Sequence, residues 1–121
     1  MRRALQTPQT HVARHAAAIV ATLRLVTKKP WAIDVSYFSA ARRALYLHDM
    51  AVAPDRQRQG IGRRCIEEAR RLARDWPADA IRLDAWDAAA GAGRFYSQCG
   101  FREVGRVVYR KSPLIYYEAL L

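Results

Sequence analysis

The chain has 121 residues, enough for one domain with its own core, and its 51% hydrophobic and 26% charged composition reads as globular. No run reaches the ~18–20 apolar residues of a membrane helix, and Met1 to Thr10 is too polar and basic for a secretory leader. The formal net charge of +10 favours anionic partners, nucleic acid among them, although arginines such as Arg63, Arg64, Arg70, Arg71 and Arg74 read most plainly as a solvated helix face.

The first acidic residue is Asp34. So basic a beginning imitates a transit peptide, but residues 1–16 read more plainly as a basic N-terminal tail, and residues 17–121 as the folded domain. Residues 17–26, AAIVATLRLV, are apolar and β-branched, which predicts a buried strand. TKKP ends it, and WAIDV, 31–35, reads as a second short strand. The stretch 44–52 is the next strong strand. Simple alternation puts Leu45, Leu47, Asp49 and Ala51 on one face, and Tyr46, His48, Met50 and Val52 on the other. Pro54 ends it.

A helix is expected from about Gly60 to Pro77, because Ile61, Cys65, Ile66, Ala69, Leu72, Ala73 and Trp76 recur at helical spacing. Residues 80–86, AIRLDAW, alternate as a strand. A weaker helix follows over 88–99; its Gly91 and Gly93 cost about 1 kcal/mol each relative to Ala. Gly100 suits a helix C-terminus, and two strands separated by Pro113 close the chain. The order β, β, β, α, β, α, β, β is a mixed α/β sheet.

The helix opens on QRQGIGRR, residues 57–64. Glycines at a helix N-terminus permit close backbone approach, and the unpaired N–H groups there attract anions, phosphate above all. The stretch fails as a dinucleotide fingerprint, since Cys65 stands where the third glycine belongs, and no P-loop pattern occurs.

Gln57-Arg58-Gln59-Gly60-Ile61-Gly62 resembles the Q/R-x-x-G-x-G/A signature of the GNAT superfamily of acyl-CoA N-acyltransferases. The strand LYLHDMAVAP upstream and FYSQCGF, 95–101, downstream extend the resemblance over about residues 17–121. It implies a twisted, mostly antiparallel sheet with one splayed parallel strand pair and flanking helices. It implies N-acetyl transfer from acetyl-CoA to a primary amine of a small molecule or peptide, by direct attack in a ternary complex. Backbone groups of the corner, from Gln57 and Arg58 through Gln59, Gly60, Ile61 and Gly62 to Arg63, would hold the coenzyme A pyrophosphate. Met50, Ala51 and Val52 would pair with the pantetheine amides. Tyr96, which stands at the family's tyrosine, would contact the cofactor and return a proton to the departing thiolate. A backbone N–H at Val52 or Met50 would meet the oxyanion. His48 is the leading candidate base, with Asp34 and Asp49 as alternatives, and a water chain would also serve.

Two departures bear on these expectations. Ala89 stands where many members carry an asparagine that contacts the cofactor, which implies weaker cofactor contacts there. Few residues precede the strand at 17–26, too few for the family's opening strand and two helices, so an exposed sheet edge and a homodimer that covers it are expected. The alternative is a non-catalytic module of the same fold that holds CoA or nucleic acid without turnover; the intact Tyr96 argues against it. Cys65 and Cys99 lack metal-type spacing, no metal is expected, and reduced thiols fit a cytoplasmic protein.

Overall fold

The computed structural model describes residues 9–15, 18–89 and 91–121. Among these residues six strands form one sheet in the order β1-β2-β3-β4-β6-β5. β1 is Gln9–His15, β2 Ala18–Val26, β3 Ala44–Val52, β4 Ala80–Trp86, β5 Arg102–Tyr109 and β6 Ser112–Leu120. The α-helices among the described residues are α1 over Ile61–Asp75 and α2 over Gly93–Gln98. The β3–β4 pair is parallel and every other pair is antiparallel.

The predicted succession of elements holds, but not through the predicted strands. Gln9–His15, from the segment read as a tail, pairs with β2. The strand expected over 31–35 is instead a turn leading into a 3-10 helix, Val35–Tyr37. Its cause is local. The Ile33 N–H donates to the Pro30 carbonyl at 3.2 Å, and Asp34 accepts from the Ser36 N–H and hydroxyl at 3.0 and 2.7 Å. Such short side-chain-to-backbone bonds compete with a strand ladder. The expected helix over 88–99 shrinks to α2 alone. Before it the chain doubles back against Trp86, where a Cβ on Gly91 would lie 2.0 Å from the Trp86 carbonyl oxygen.

α1 buries the stripe read from its sequence. Cys65, Ile66, Ala69 and Ala73 pack on the sheet with Leu23, Leu25, Leu45, Leu47, Ile81 and Leu83. Arg71 is held on the outer face between Glu68 and Asp75, a pairing of half-exposed groups worth at most about 1 kcal/mol. β5 and β6 join through Arg110 and Lys111, both in the left-handed region at φ 48° and 68°. Two such residues between the paired Tyr109 and Ser112 are the hairpin turn that matches strand twist. Pro113 therefore lies inside β6, opposite Val108, rather than between strands.

The opposite sheet face is covered by the segment 27–43. A second core of Val26, Ile33, Phe38, Tyr46 and Tyr116 lies beneath it. Tyr116 accepts from the Asp34 N–H at 3.1 Å and donates to the Ala32 carbonyl. Buried Glu118 accepts from the Ser39 N–H at 2.9 Å, the Ser39 hydroxyl and Arg102. Buried Arg82 donates to the Tyr46 hydroxyl and the Ser39 carbonyl. The segment is irregular but tied down at each end, since Asp79 also accepts from the Arg42 and Arg43 N–H groups.

Candidate active site

Two irregularities of β3 build the site. Along β2, Arg24 faces Asp49 and the next residue, Leu25, faces Leu47, so β3 carries an extra residue at His48. This bulge reverses the alternation that follows. Leu45 and Leu47 point into the helix-side core, and after the bulge Met50 and Val52 pack against that same core. The face read for Met50 and Val52 together with Tyr46 and His48 is thus corrected. The second irregularity lies on the other edge. β3 and β4 are paired only at Ala44–Ala80, Leu45–Ile81 and Tyr46–Arg82. Beyond them the strands part, and the backbone of β3 facing β4 has no strand partner.

A cleft of about 660 Å³ opens on the helix side of this gap. Met50, Ala51, Val52, Gln57, Arg58, Gly60, Gly62 and Arg63 line it, together with Ala92, Phe95 and Gln98. The corner is a pair of left-handed residues, Arg58 at φ 64° and Gly60 at φ 80°, and α1 starts directly after it. Gly60 has no side chain to cap the helix, so the first N–H groups of α1 have no cap to satisfy them. A Cβ on Gly60 would meet nothing within 4 Å, which leaves the approach to those groups open. The Gln57 side chain donates to the Val52 carbonyl at 3.3 Å and ties corner to strand. Gln59 turns back to the Asp55 carbonyl, and Ile61 packs into the core; neither side chain lines the cleft. A basic corner with open helix N–H groups, beside an unpaired strand edge, fits a diphosphate joined to an extended amide chain.

Tyr96 stands beside the cleft rather than in its lining. It is buried in α2 among Phe95, Phe101 and Tyr117, with ring centroids 5.3–6.0 Å away. Burial first, then the neighbouring Cys99 and Asp84, push its phenol up to about 12. It is therefore fully protonated throughout the physiological range.

His48 lies across the gap, lining a smaller cavity of about 320 Å³ with Pro30, Trp31, Ala32, Ile33, Leu47, Asp84 and Tyr109. Its Nε2 is 3.9 Å from an Asp49 carboxylate oxygen. Asp49 also faces Arg24 and is largely exposed. Asp34, the other acid considered, caps the 3-10 helix away from the gap, and the Ser36 hydroxyl and N–H hold its carboxyl below the usual range. Asp84 was missed as a site residue, because in sequence it is only the polar member of an alternating strand. Burial raises its carboxyl above the ordinary value, while nearby His48 pulls the other way. Asp84 thus lines the His48 cavity at the open end of the β3–β4 pair and lies within electrostatic reach of the Tyr96 phenol.

The sequence matches the family model described as an acetyltransferase (GNAT) domain over residues 6–103. None of the curated proteins matches it. Among solved structures, nourseothricin acetyltransferase is 20% identical with a TM-score of 0.76, over 95% of this chain and 66% of that one. An acetyltransferase from Bacillus cereus is 20% identical with a TM-score of 0.72, over 94% and 73% of the two chains. A GNAT family acetyltransferase from Elizabethkingia anophelis with acetyl-CoA bound is 17% identical with a TM-score of 0.72, over 97% and 78%. At these identities the likeness is one of fold, and the chain spans about two thirds of the first structure's length. Both the pattern of residues 6–103 and the opening of the sheet between β3 and β4 lead to one family: the chain belongs to the GNAT acetyltransferases.

Proposed function

We propose that this chain is an N-acetyltransferase that moves an acetyl group from acetyl-CoA to a primary amine in a ternary complex. The observation that carries the reading is the parting of β3 from β4 after Tyr46 and Arg82, with the left-handed basic corner at the end of the resulting cleft. Some structures of similar fold contain acetyl-CoA or CoA, which supports the same donor here.

Gly60, Gly62 and the N–H groups up to Arg63 would hold the diphosphate, and Met50, Ala51 and Val52 the pantetheine amides. Bound there, acetyl-CoA supplies a thioester carbonyl open to attack by an amine. Asp84 and His48 would receive the proton that the amine must lose, through water where they do not touch it. A β3 backbone N–H at Val52 or Met50 would donate to the oxygen that gains negative charge. Tyr96 would donate its proton to the departing sulfur.

Calorimetric titration with acetyl-CoA tests the reading. Wild type should bind saturably, and Gly60→Asp should lose most of that affinity, because its carboxylate stands in the anion cradle. Gly60→Asn, which tolerates the same left-handed backbone without the charge, should retain most of it. Equal binding by the aspartate variant, or none by wild type, would sink the proposal.

A non-catalytic reading has one observation in its favour, that Tyr96 is a buried residue beside the cleft rather than part of its lining. That reading requires acetyl-CoA binding without transfer to any amine.

A further inference from the structure

The inner cavity at His48 and Asp84 does not end there. It shares Trp31, Ala32, Ile33 and Tyr109 with a larger groove of about 670 Å³ on the loop side of the sheet. That groove continues outward past Val108 to Tyr37. Its walls are flat or apolar and open to solvent: Trp31 is 86% exposed, Val108 74% and Tyr37 43%. Large apolar groups left this open need a reason. Here the wall is held rigid, since Tyr37 packs edge-on to Tyr116 at 5.4 Å and leaves no room for a Cβ on Gly105. Tyr116 in turn holds Ala32 and Asp34.

The charges along the groove are already answered. Asp34 takes two hydrogen bonds from Ser36 and faces Lys29, whose ammonium also donates to the Pro30 carbonyl. Asp87, just past β4, and Glu103, on β5, both pair with Arg106. Among the carboxylates of the described residues that line these cavities, only Asp84, at the inner end, combines partial burial with a place beside the gap. A polycation would need several carboxylates spaced along its length, against a molecular charge of +10. A single amine on a flat apolar body needs one carboxylate and one ring surface.

We infer that the groove is the acceptor subsite and that the acceptor is an arylalkylamine: a primary amine at Asp84 and His48, on a short chain ending in an aromatic ring that lies between Trp31 and Tyr109. This rests on the acetyltransferase reading above, and deepens it by naming the substrate class.

The test is calorimetric titration of phenylethylamine and of spermidine into the full chain, with CoA present and absent, followed by acetyl-transfer rates for both amines. Phenylethylamine should bind saturably and be acetylated with the higher kcat/KM. Trp31→Ala and Tyr109→Ala should each weaken it about tenfold, without changing acetyl-CoA affinity. So exposed a tryptophan can be removed without unfolding the chain, and circular dichroism would verify the Tyr109 variant. Equal or tighter spermidine binding, no saturable phenylethylamine binding, or indifference to both substitutions would overturn the inference. Acetylation of spermidine alone would overturn the arylalkylamine assignment and leave the acetyltransferase reading standing. Phenylethylamine binding that Trp31→Ala weakens, with no acetyl-CoA binding, would support the groove and overturn the acetyltransferase reading.

Discussion

Tyr96 and Asp84 are both pushed towards their neutral forms by burial, with opposite consequences. For a phenol that is the form needed to donate a proton, so burial holds Tyr96 ready. Tyr96→Phe should lower kcat about 100-fold while acetyl-CoA affinity stays within a factor of two; a burst-free rate measurement and a binding titration check it. For a carboxylate that must accept a proton, burial moves the working range upward. The kcat/KM of wild type should fall as pH drops through the raised Asp84 value, and Asp84→Asn should lose both activity and that acid limb. Stability should respond in the opposite sense. A folded-state value raised above the unfolded one stabilises below the unfolded value, and that contribution is lost as pH rises through the folded value. Asp84→Asn should therefore gain stability relative to wild type at neutral pH and lose the advantage in acid, as read by denaturant unfolding at the two pH values.

Elements matter here chiefly where they fail to be regular. The bulge at His48 lets one strand feed Leu45, Leu47, Met50 and Val52 to the helices while turning His48 towards the loop side. The segment 27–43 is fastened by side chains rather than by a ladder, and Glu118 is its central anchor. Burial alone would raise the Glu118 carboxyl, but hydrogen bonds from Ser39 and Arg102 outweigh it and hold it below the ordinary range. Glu118→Ala should cost about 1–3 kcal/mol, because donors are left unanswered beneath the loop. The sign follows from the lowered value: the stabilisation is present above the ordinary carboxylate range and disappears as pH falls through the folded value. The same variant should raise KM for the amine more than it changes acetyl-CoA affinity, since the loop carries Trp31 and the cleft does not. Steady-state kinetics and unfolding curves at two pH values test both halves.

In the described part of the molecule, the helices and the cleft at the glycine corner share one face of the sheet, and the loop and aromatic groove share the other, with the β3–β4 gap between them. β1 and β5 bound the sheet among the described residues. Open edges invite another strand, so the homodimer expected from the sequence stands as a proposal. Sedimentation should show a dimer at tens of micromolar, and a clean monomer there would reject it.

The sequence by itself determined the helix-side architecture. The apolar stripe of α1, the alternation of β4, the glycine corner and FYSQCGF are local patterns whose spacing carries their meaning, and eight of the expected cofactor residues do line one cleft. Local patterns also misled. WAIDV has strand-forming residues, yet Pro30 and the Asp34–Ser36 bonds bend it into the loop that bears Trp31. Only the tertiary structure decided the bulge, which is a mismatch of register between two strands and is visible in neither alone. Only it brought Asp84 within electrostatic reach of residues 36 positions back and 12 ahead in the chain, His48 and Tyr96. Distant residues become neighbours through the sheet, and the ionisation of a carboxyl group is set by its neighbours.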